Sequence, residues 1–215
     1  MNIFIIGGCG FIGFNVFSFL KNKNYNNITI IDNFSGQSSK KNYIKIKKEF
    51  KKVKFFNIDI SQNKKIFDLI KKNKPEVILA LHGQIAVTRS IKDPKLDFNN
   101  NFLSVFNLLE SIRKFSPKST LINLSSNKVY GNIEKIDLEE KKLRYSSNDL
   151  IDEKYPLKFE SPYGCSKGAA DQYVVDYAKL YNLKTVSLRL SCVYGENQWG
   201  TEDQGWIAWF IKCAL

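Results

Sequence analysis

"NIFIIGGCGFIGFNVFSFL", residues 2 to 20, sets a short run of large apolar residues against spaced glycines and then against a helical pattern. A run this short, cut off by glycine, reads as a buried strand, and the pattern from residue 11 onward reads as a helix. Gly7, Gly10 and Gly13 form a G-x-x-G-x-x-G arrangement at the junction. The first glycine permits a tight turn, the second lets backbone approach a pyrophosphate, and the third lets helix and strand pack closely, so that the helix N-terminus faces an anion. A glycine triplet alone is a weak signal, and a glycine-rich turn followed by an N-capping aspartate would look similar. Asp32, closing "ITIID" at residues 28 to 32, strengthens the reading. A carboxylate there can accept both ribose hydroxyls of a dinucleotide and repels a 2′-phosphate, which favours NAD over NADP. Asp59, just past the third apolar run, can bind an adenine amine or cap a helix.

Beyond this unit the alternation continues. "VKFF" precedes a helical stretch at 61–72, "VILAL" one at 95–115, "STLINL" one at 161–181, and "TVSLRL" follows; 40–50 is the helical stretch after "ITIID". Strand and helix in repeated alternation predict an α/β fold, a doubly wound parallel sheet of Rossmann type over residues 1–215. Residues 132–160 are charged and weakly periodic, and are expected to form an excursion above the sheet edge. "DQGWIAWFIKCAL" places Trp206, Ile207, Trp209, Phe210 and Ala214 at helical intervals. A helix so apolar needs a partner, either the sheet or a further lobe.

Composition narrows the function classes. The formal charge is +12, yet only Arg89, Arg113, Arg144 and Arg189 are arginines. Lysine is a hydrated point charge and a poorer fork for phosphates and bases, so scattered lysines such as those of "KKNYIKIKKEFKKVK" read as a solvated face and not a nucleic-acid surface. No apolar run approaches membrane-spanning length, and glycines break the N-terminal apolar stretch where a secretory signal would not. Cys9, Cys165, Cys192 and Cys213 are far apart and His82 is the single histidine, so no metal-ligand spacing exists. A cytoplasmic protein with packing cysteines is expected.

"SPYGCSKGAADQYVVDYAKLY", residues 161 to 181, carries Tyr163 and Lys167 four apart near the start of a helix. At that spacing they share a face, and an ammonium beside a phenol favours its ionised form. A phenol so assisted can act as a base near neutrality. Ser126, in "LSSNKVYG" at residues 124 to 131, falls at a strand end, where a doubly wound sheet places its ligands. Its hydroxyl can hold the substrate oxygen that Tyr163 deprotonates.

Together Gly7, Gly10, Gly13, Asp32, Ser126, Tyr163 and Lys167 resemble the extended short-chain dehydrogenase/reductase family of nucleotide-sugar enzymes with a tightly held NAD. Within it, "SSNKVYG", "DEKYPLKFESPYGCSKGAADQY" and "DQGWIAWF" are similar to the branch that inverts C2 of a CDP-dideoxyhexose through a 2-keto sugar. The resemblance implies catalytic roles for Ser126, Tyr163 and Lys167. It implies a cofactor lining of Gly7, Gly10, Phe11, Ile12, Gly13, Asp32, Asn33, Asp59, Ile60, Leu81, Gly83, Asn101, Tyr163 and Lys167. A 4,6-dehydratase of the family would carry Asp-Glu after the active-site hydroxyl, where this chain has Asn127 and Lys128. A 4-epimerase would use the same three residues and stays open, as does a truncated NAD-binding module without catalysis. The family continues into a smaller substrate lobe that this sequence does not reach.

The sequence departs from the family pattern at Phe14, at Gly36, at "NFLSVFN" after Asn101 and at His82, which is read as a structural residue. By the same resemblance a homodimer is expected through the helices at 95–115 and 161–181. Ala169, Ala170, Val174, Tyr177 and Ala178 suit such a seam or burial on the sheet.

Overall fold

The computed structural model describes residues 1–133, 136–147 and 151–215, with the side chains of Gln37 and Asn63 left aside. Strands β1 (Ile3–Ile6), β2 (Ile28–Asp32), β3 (Lys54–Asn57), β4 (Val77–Ala80) and β5 (Thr120–Ser126) alternate with helices α1 (Phe11–Asn22), α2 (Gln37–Glu49) and α3 (Asn63–Asn73). Between β4 and β5 run α4 (Val87–Lys92), α5 (Pro94–Phe98), a π-helical turn (Asn99–Leu103) and α6 (Ser104–Phe115). After β5 come a small hairpin of β6 (Glu139–Lys141) and β7 (Arg144–Ser146), then α7 (Ser161–Tyr181), β8 (Lys184–Leu190) and α8 (Trp206–Ala214). The large sheet is parallel throughout, in the order β3-β2-β1-β4-β5-β8. The doubly wound architecture is therefore as expected.

Pleating explains why β1 is apolar at every position. Ile3 and Ile5 face α1 and α2 and pack with Phe14, Phe17, Ile30 and Ile46. Phe4 and Ile6 face the opposite way, into a larger core with Ile66, Ile70, Leu108, Ile112 and Val174 from α3, α6 and α7. Each fully buried side chain of this kind is worth roughly 1.5–3 kcal/mol. Where both faces are covered, alternation disappears from the sequence.

The edge strand β8 has two different faces. Thr185, Ser187 and Arg189 bond to Val174 or Asp171 of α7, whereas Val186 and Leu188, opposite Ile122 and Leu124 of β5, are 43% and 42% exposed. α8 buries no residue. Of the two expectations for this helix, packing back onto the sheet is not what the structure shows.

Two further departures have local causes. The single helix expected over 95–115 is α5 and α6 joined through the π turn, and α4 precedes it. Asp93 separates α4 from α5, accepting from the Leu96 N–H at 2.9 Å ahead of Pro94 in the first turn. The expected excursion at 132–160 includes positions 134–135 and 148–150, which lie outside the described residues. Its described part is tied down by Tyr130 Oη donating to the Asp152 carbonyl and by the Lys158 N–H donating to that of Val129. Among the described residues no helix is long and apolar enough to cross a membrane, and no cluster of His, Cys, Asp and Glu is arranged to hold a metal.

Candidate active site

The C-terminal ends of β1, β2, β4, β5 and β8 open into a cleft of about 770 Å³. Gly7, Gly10, Phe11, Ile12, Asp32, Asn33, Leu81, Gly83, Ser126, Tyr163 and Lys167 all line it. Gly7 turns the chain at φ 73° with a Cβ position 2.8 Å from the His82 backbone, so the turn sits hard against the end of β4. A Cβ on Gly13 would lie 2.1 Å from the Gly7 carbonyl oxygen, which places this glycine beneath the cleft as the close contact between α1 and β1. α1 begins at Gly10 with no side-chain cap and no acidic residue in its first turn, leaving its N–H groups and dipole toward the cleft. Asp32 accepts from the Cys9 N–H at 2.9 Å and the Phe34 N–H at 2.8 Å. Burial pushes its carboxyl up, and those two N–H groups oppose the shift. An uncapped helix start, a close-packed glycine turn and a fixed acidic group at the next strand fit a dinucleotide.

On the other wall, α7 presents Tyr163 and Lys167 inward, and both are buried. The small residues around them allow close approach. A Cβ on Gly168 would strike the Phe159 ring at 2.3 Å, and one on Gly164 would stand 3.3 Å from the Lys128 carbonyl. Ser161, at φ 63°, accepts from the Gly164 N–H at 3.3 Å and so starts the helix, while the Tyr163 N–H donates to Ser90 Oγ of α4 at 3.2 Å. Ser126 ends β5, where its hydroxyl accepts from the Lys128 N–H at 3.2 Å, and it lines the cleft with Tyr163. Lys167 Nζ donates to the Leu124 carbonyl at 2.8 Å. Burial pushes the phenol up, the Ser126 hydroxyl pulls it down and the Asp97 charge pushes it up. Burial brings the Lys167 ammonium down to about 8, against the attraction of Asp97 and Asp171.

Four expected residues do not reach the cleft wall. Gly13 lies below it, and Asn101, 1% exposed, stands behind Gly83 with its Oδ1 2.6 Å from where a Gly83 Cβ would be. Asp59 accepts from the N–H and Oγ of Ser61 at 3.0 and 2.7 Å, the local-turn arrangement, and the Ile60 carbonyl accepts from Asn107 Nδ2 at 3.1 Å. His82 has a definite tautomer. Ser104 Oγ donates to the Asn100 carbonyl, so it accepts from His82 Nε2–H at 2.8 Å, and burial, helped by Lys167, holds the imidazole neutral, down to about 3.

A connection over residues 191–205 was not foreseen as part of the site. It crosses the cleft from β8 and supplies Cys192, Trp199 and Asp203 to its lining. Lys41 lies 3.9 Å from the Trp199 ring, Asn15 donates to the Glu196 carbonyl at 2.9 Å, and Thr88 donates to Asp203 at 2.8 Å. Its only sequence signal was an aromatic and acidic composition without periodicity.

The profile of the NAD dependent epimerase/dehydratase family matches residues 3–215. CDP-paratose 2-epimerase of Salmonella typhi is 40% identical over 218 residues, covering 100% of this chain and 64% of that protein. A putative UDP-glucose 4-epimerase of Methanocaldococcus jannaschii is 33% identical, over 99% of this chain and 63% of the relative. The solved structure of the Thermus thermophilus UDP-glucose 4-epimerase in complex with NAD superposes with a TM-score of 0.81 at 28% identity, over 98% of this chain and 61% of that one. The chain thus spans somewhat over three fifths of the length of these relatives. With sheet order, glycine turn and cleft in agreement, the chain belongs to the NAD dependent epimerase/dehydratase family.

Proposed function

We propose that this protein is an NAD-dependent nucleotide-sugar epimerase that inverts C2 of a CDP-dideoxyhexose through a 2-keto sugar. The observation that carries the reading is the meeting of Ser126, Tyr163 and Lys167 on one wall of the cleft that the glycine turn and Asp32 line from the other side. Gly7, Gly10, Phe11 and Ile12 would hold the cofactor's diphosphate, Asp32 and Asn33 its adenosine ribose, and Leu81, Gly83, Tyr163 and Lys167 the nicotinamide side, over the packing that Gly13 permits. Asp59, Ile60 and Asn101 would support this lining from behind. NAD, when bound, supplies a hydride acceptor and donor at the sugar carbon.

The chain's own groups do the rest. Ser126 Oγ holds the sugar hydroxyl, and Tyr163 Oη removes its proton as the carbonyl forms and returns it after inversion. Lys167 holds positive charge beside the phenol, offsetting the burial that otherwise keeps it protonated. The absence of carboxyls at Asn127 and Lys128 leaves no acid–base pair for eliminating water. The 40% identity to a CDP-paratose 2-epimerase favours C2. The likeness to 4-epimerases favours a second reading, inversion at C4 by the same three residues.

A homodimer belongs to the same proposal. Phe98, Phe102, Phe106 and Tyr173 form an aromatic ladder along α5, the π turn, α6 and α7, with Phe102 5.1 Å and Phe106 5.9 Å from the Tyr173 ring, and Tyr181 joins it through Tyr177. Of the residues proposed for this seam, Ala170, Val174 and Tyr177 are buried in the larger core instead.

The test is incubation of the chain with NAD and a CDP-dideoxyhexose in D₂O, with the product read by NMR. Inversion at C2 without deuterium at that carbon is the expected result. Deuterium incorporation refutes the mechanism, inversion at C4 of a UDP-sugar supports the second reading, and NAD binding without product leaves a binding module.

A further inference from the structure

Asp97, in α5, is 0% exposed, and its hydrogen-bond donors are all neutral. Its Oδ1 accepts from Gln84 Nε2 at 2.8 Å and Asn101 Nδ2 at 2.9 Å, and its Oδ2 from Ser166 Oγ. The other fully buried carboxylate near the site, Asp171, is held by Arg189 through Nε at 3.2 Å and Nη2 at 2.8 Å. Asp171 therefore has a local countercharge. The bonds to Asp97 satisfy its lone pairs without balancing its charge, and an unbalanced buried carboxylate costs several kcal/mol.

Each donor to Asp97 belongs to a different segment of the cleft. Gln84 follows Leu81, His82 and Gly83, and braces that loop through both Ala86 backbone groups, its Oε1 accepting at 2.5 Å and its Nε2 donating at 2.8 Å. Asn101 sits in the π turn. With Nδ2 committed to Asp97, its Oδ1 faces Gly83, at a point where a Gly83 Cβ would also be 3.4 Å from Lys167 Nζ. Ser166 lies between Tyr163 and Lys167 on α7.

We propose that Asp97 is a positioning residue for the reactive pair: a buried countercharge to Lys167 that also locks the loop after β4, the π turn and the start of α7 to one another. The proposal rests on the reading of Tyr163 and Lys167 as that pair. The charged and titratable groups around Lys167 are Asp97 from α5, Tyr163 and Asp171 from α7, His82 from the end of β4 and, through Asp171, Arg189 of β8. With Asp171 offset by Arg189, Asp97 is the one of these whose negative charge is uncommitted. Without it Lys167 loses its proton more readily, and a neutral amine gives no help to a phenolate.

The test is an NMR titration of the full chain labelled at the lysine ε-carbons, with the Lys167 signal assigned by Lys167→Arg. In Asp97→Asn the Lys167 midpoint is expected to fall by at least ~1 unit, the scale of a lost neighbouring opposite charge. Ser166→Ala, which removes a bond but no charge, should leave the midpoint where it is. If Asp97→Asn does not fold, Asp97→Asn with Lys167→Met is compared with Lys167→Met alone, and the double variant should melt no lower than the single one because the buried charge being removed no longer has a partner. A folded Asp97→Asn protein with an unmoved Lys167 midpoint overturns the proposal, and so does a double variant that fails to fold while Lys167→Met alone folds. NAD binding and turnover are read separately, so a midpoint that moves in a protein without either would sink the functional reading and leave the role of Asp97 intact.

Discussion

Replacing Lys167 with Met should raise the melting temperature near neutral pH while ending turnover. Lys167 is 7% exposed, and burial brings its ammonium from 10.5 down to about 8. At ~1.4 kcal/mol per unit, keeping that proton in the folded protein costs about 3 kcal/mol, with the attraction of Asp97 and Asp171 already included. Methionine keeps the apolar stem and loses the bond to the Leu124 carbonyl, which returns about 1 kcal/mol of the gain. The net of about 2 kcal/mol corresponds to roughly 4–8 °C for a chain of this size. The pH dependence has a definite sign. Between about 8 and 10.5 the unfolded chain holds a proton on Lys167 that the folded chain has released, so the parent gains stability with rising pH across that window. The advantage of the variant is therefore full near pH 7 and gone by the top of the window. Thermal melts of both proteins at about pH 7 and about pH 10 measure it. A variant that melts below its parent near neutrality, or one whose advantage is the same at both pH values, refutes the reasoning.

Tyr163→Phe should retain NAD affinity within a few fold and lose about 10²- to 10⁴-fold in turnover, as single-turnover kinetics and a binding titration would report together. Gly13→Ala forces a methyl to 2.1 Å from the Gly7 carbonyl oxygen, so α1 must withdraw from β1. The expected loss is about 3 kcal/mol in a denaturant titration. NAD affinity should fall with it, whereas Gly10→Ala, whose nearest atom is at 3.2 Å, should be milder in stability. Arg189→Leu strands the buried Asp171 and should cost about 3–5 kcal/mol, or roughly 10 °C, recovered by adding Asp171→Leu. Phe102→Asp should halve the mass seen by light scattering, and an unchanged mass removes the aromatic ladder from consideration as a seam.

What was legible in the sequence was local or periodic. The turn at Gly7, Gly10 and Gly13 and the carboxylate at Asp32 announce themselves through steric need and strand-end position, and Tyr163 with Lys167 through one helical turn. Continuous apolar strands announced a sheet covered on both faces. The Asp97 network was invisible because its members are far apart along the chain, 13 residues to Gln84 and 69 to Ser166. Nothing in a lone aspartate near a proline distinguishes a buried hub from a helix cap. The segment at 191–205 was missed because irregular backbone has no period. The division of 95–115 escaped because a π turn holds one surplus residue without disturbing the apolar pattern of α6. Ala170 and Val174 suited a seam or burial on the sheet equally by spacing, because period alone does not tell an interior face from a contact face; in the structure both look inward, while Tyr173 looks out.

That surplus residue makes the π turn a length gauge. An α-helix advances about 100° per residue, so a further residue added between Asp97 and Leu108, with the turn already holding one, would swing everything upstream by that angle. Because Leu108 and Ile112 anchor α6 in the interior, α5 would do the turning, carrying Asp97 away from Gln84 and Ser166. The spacing between Asp97 and Leu108 should therefore tolerate substitution far better than a change in residue count.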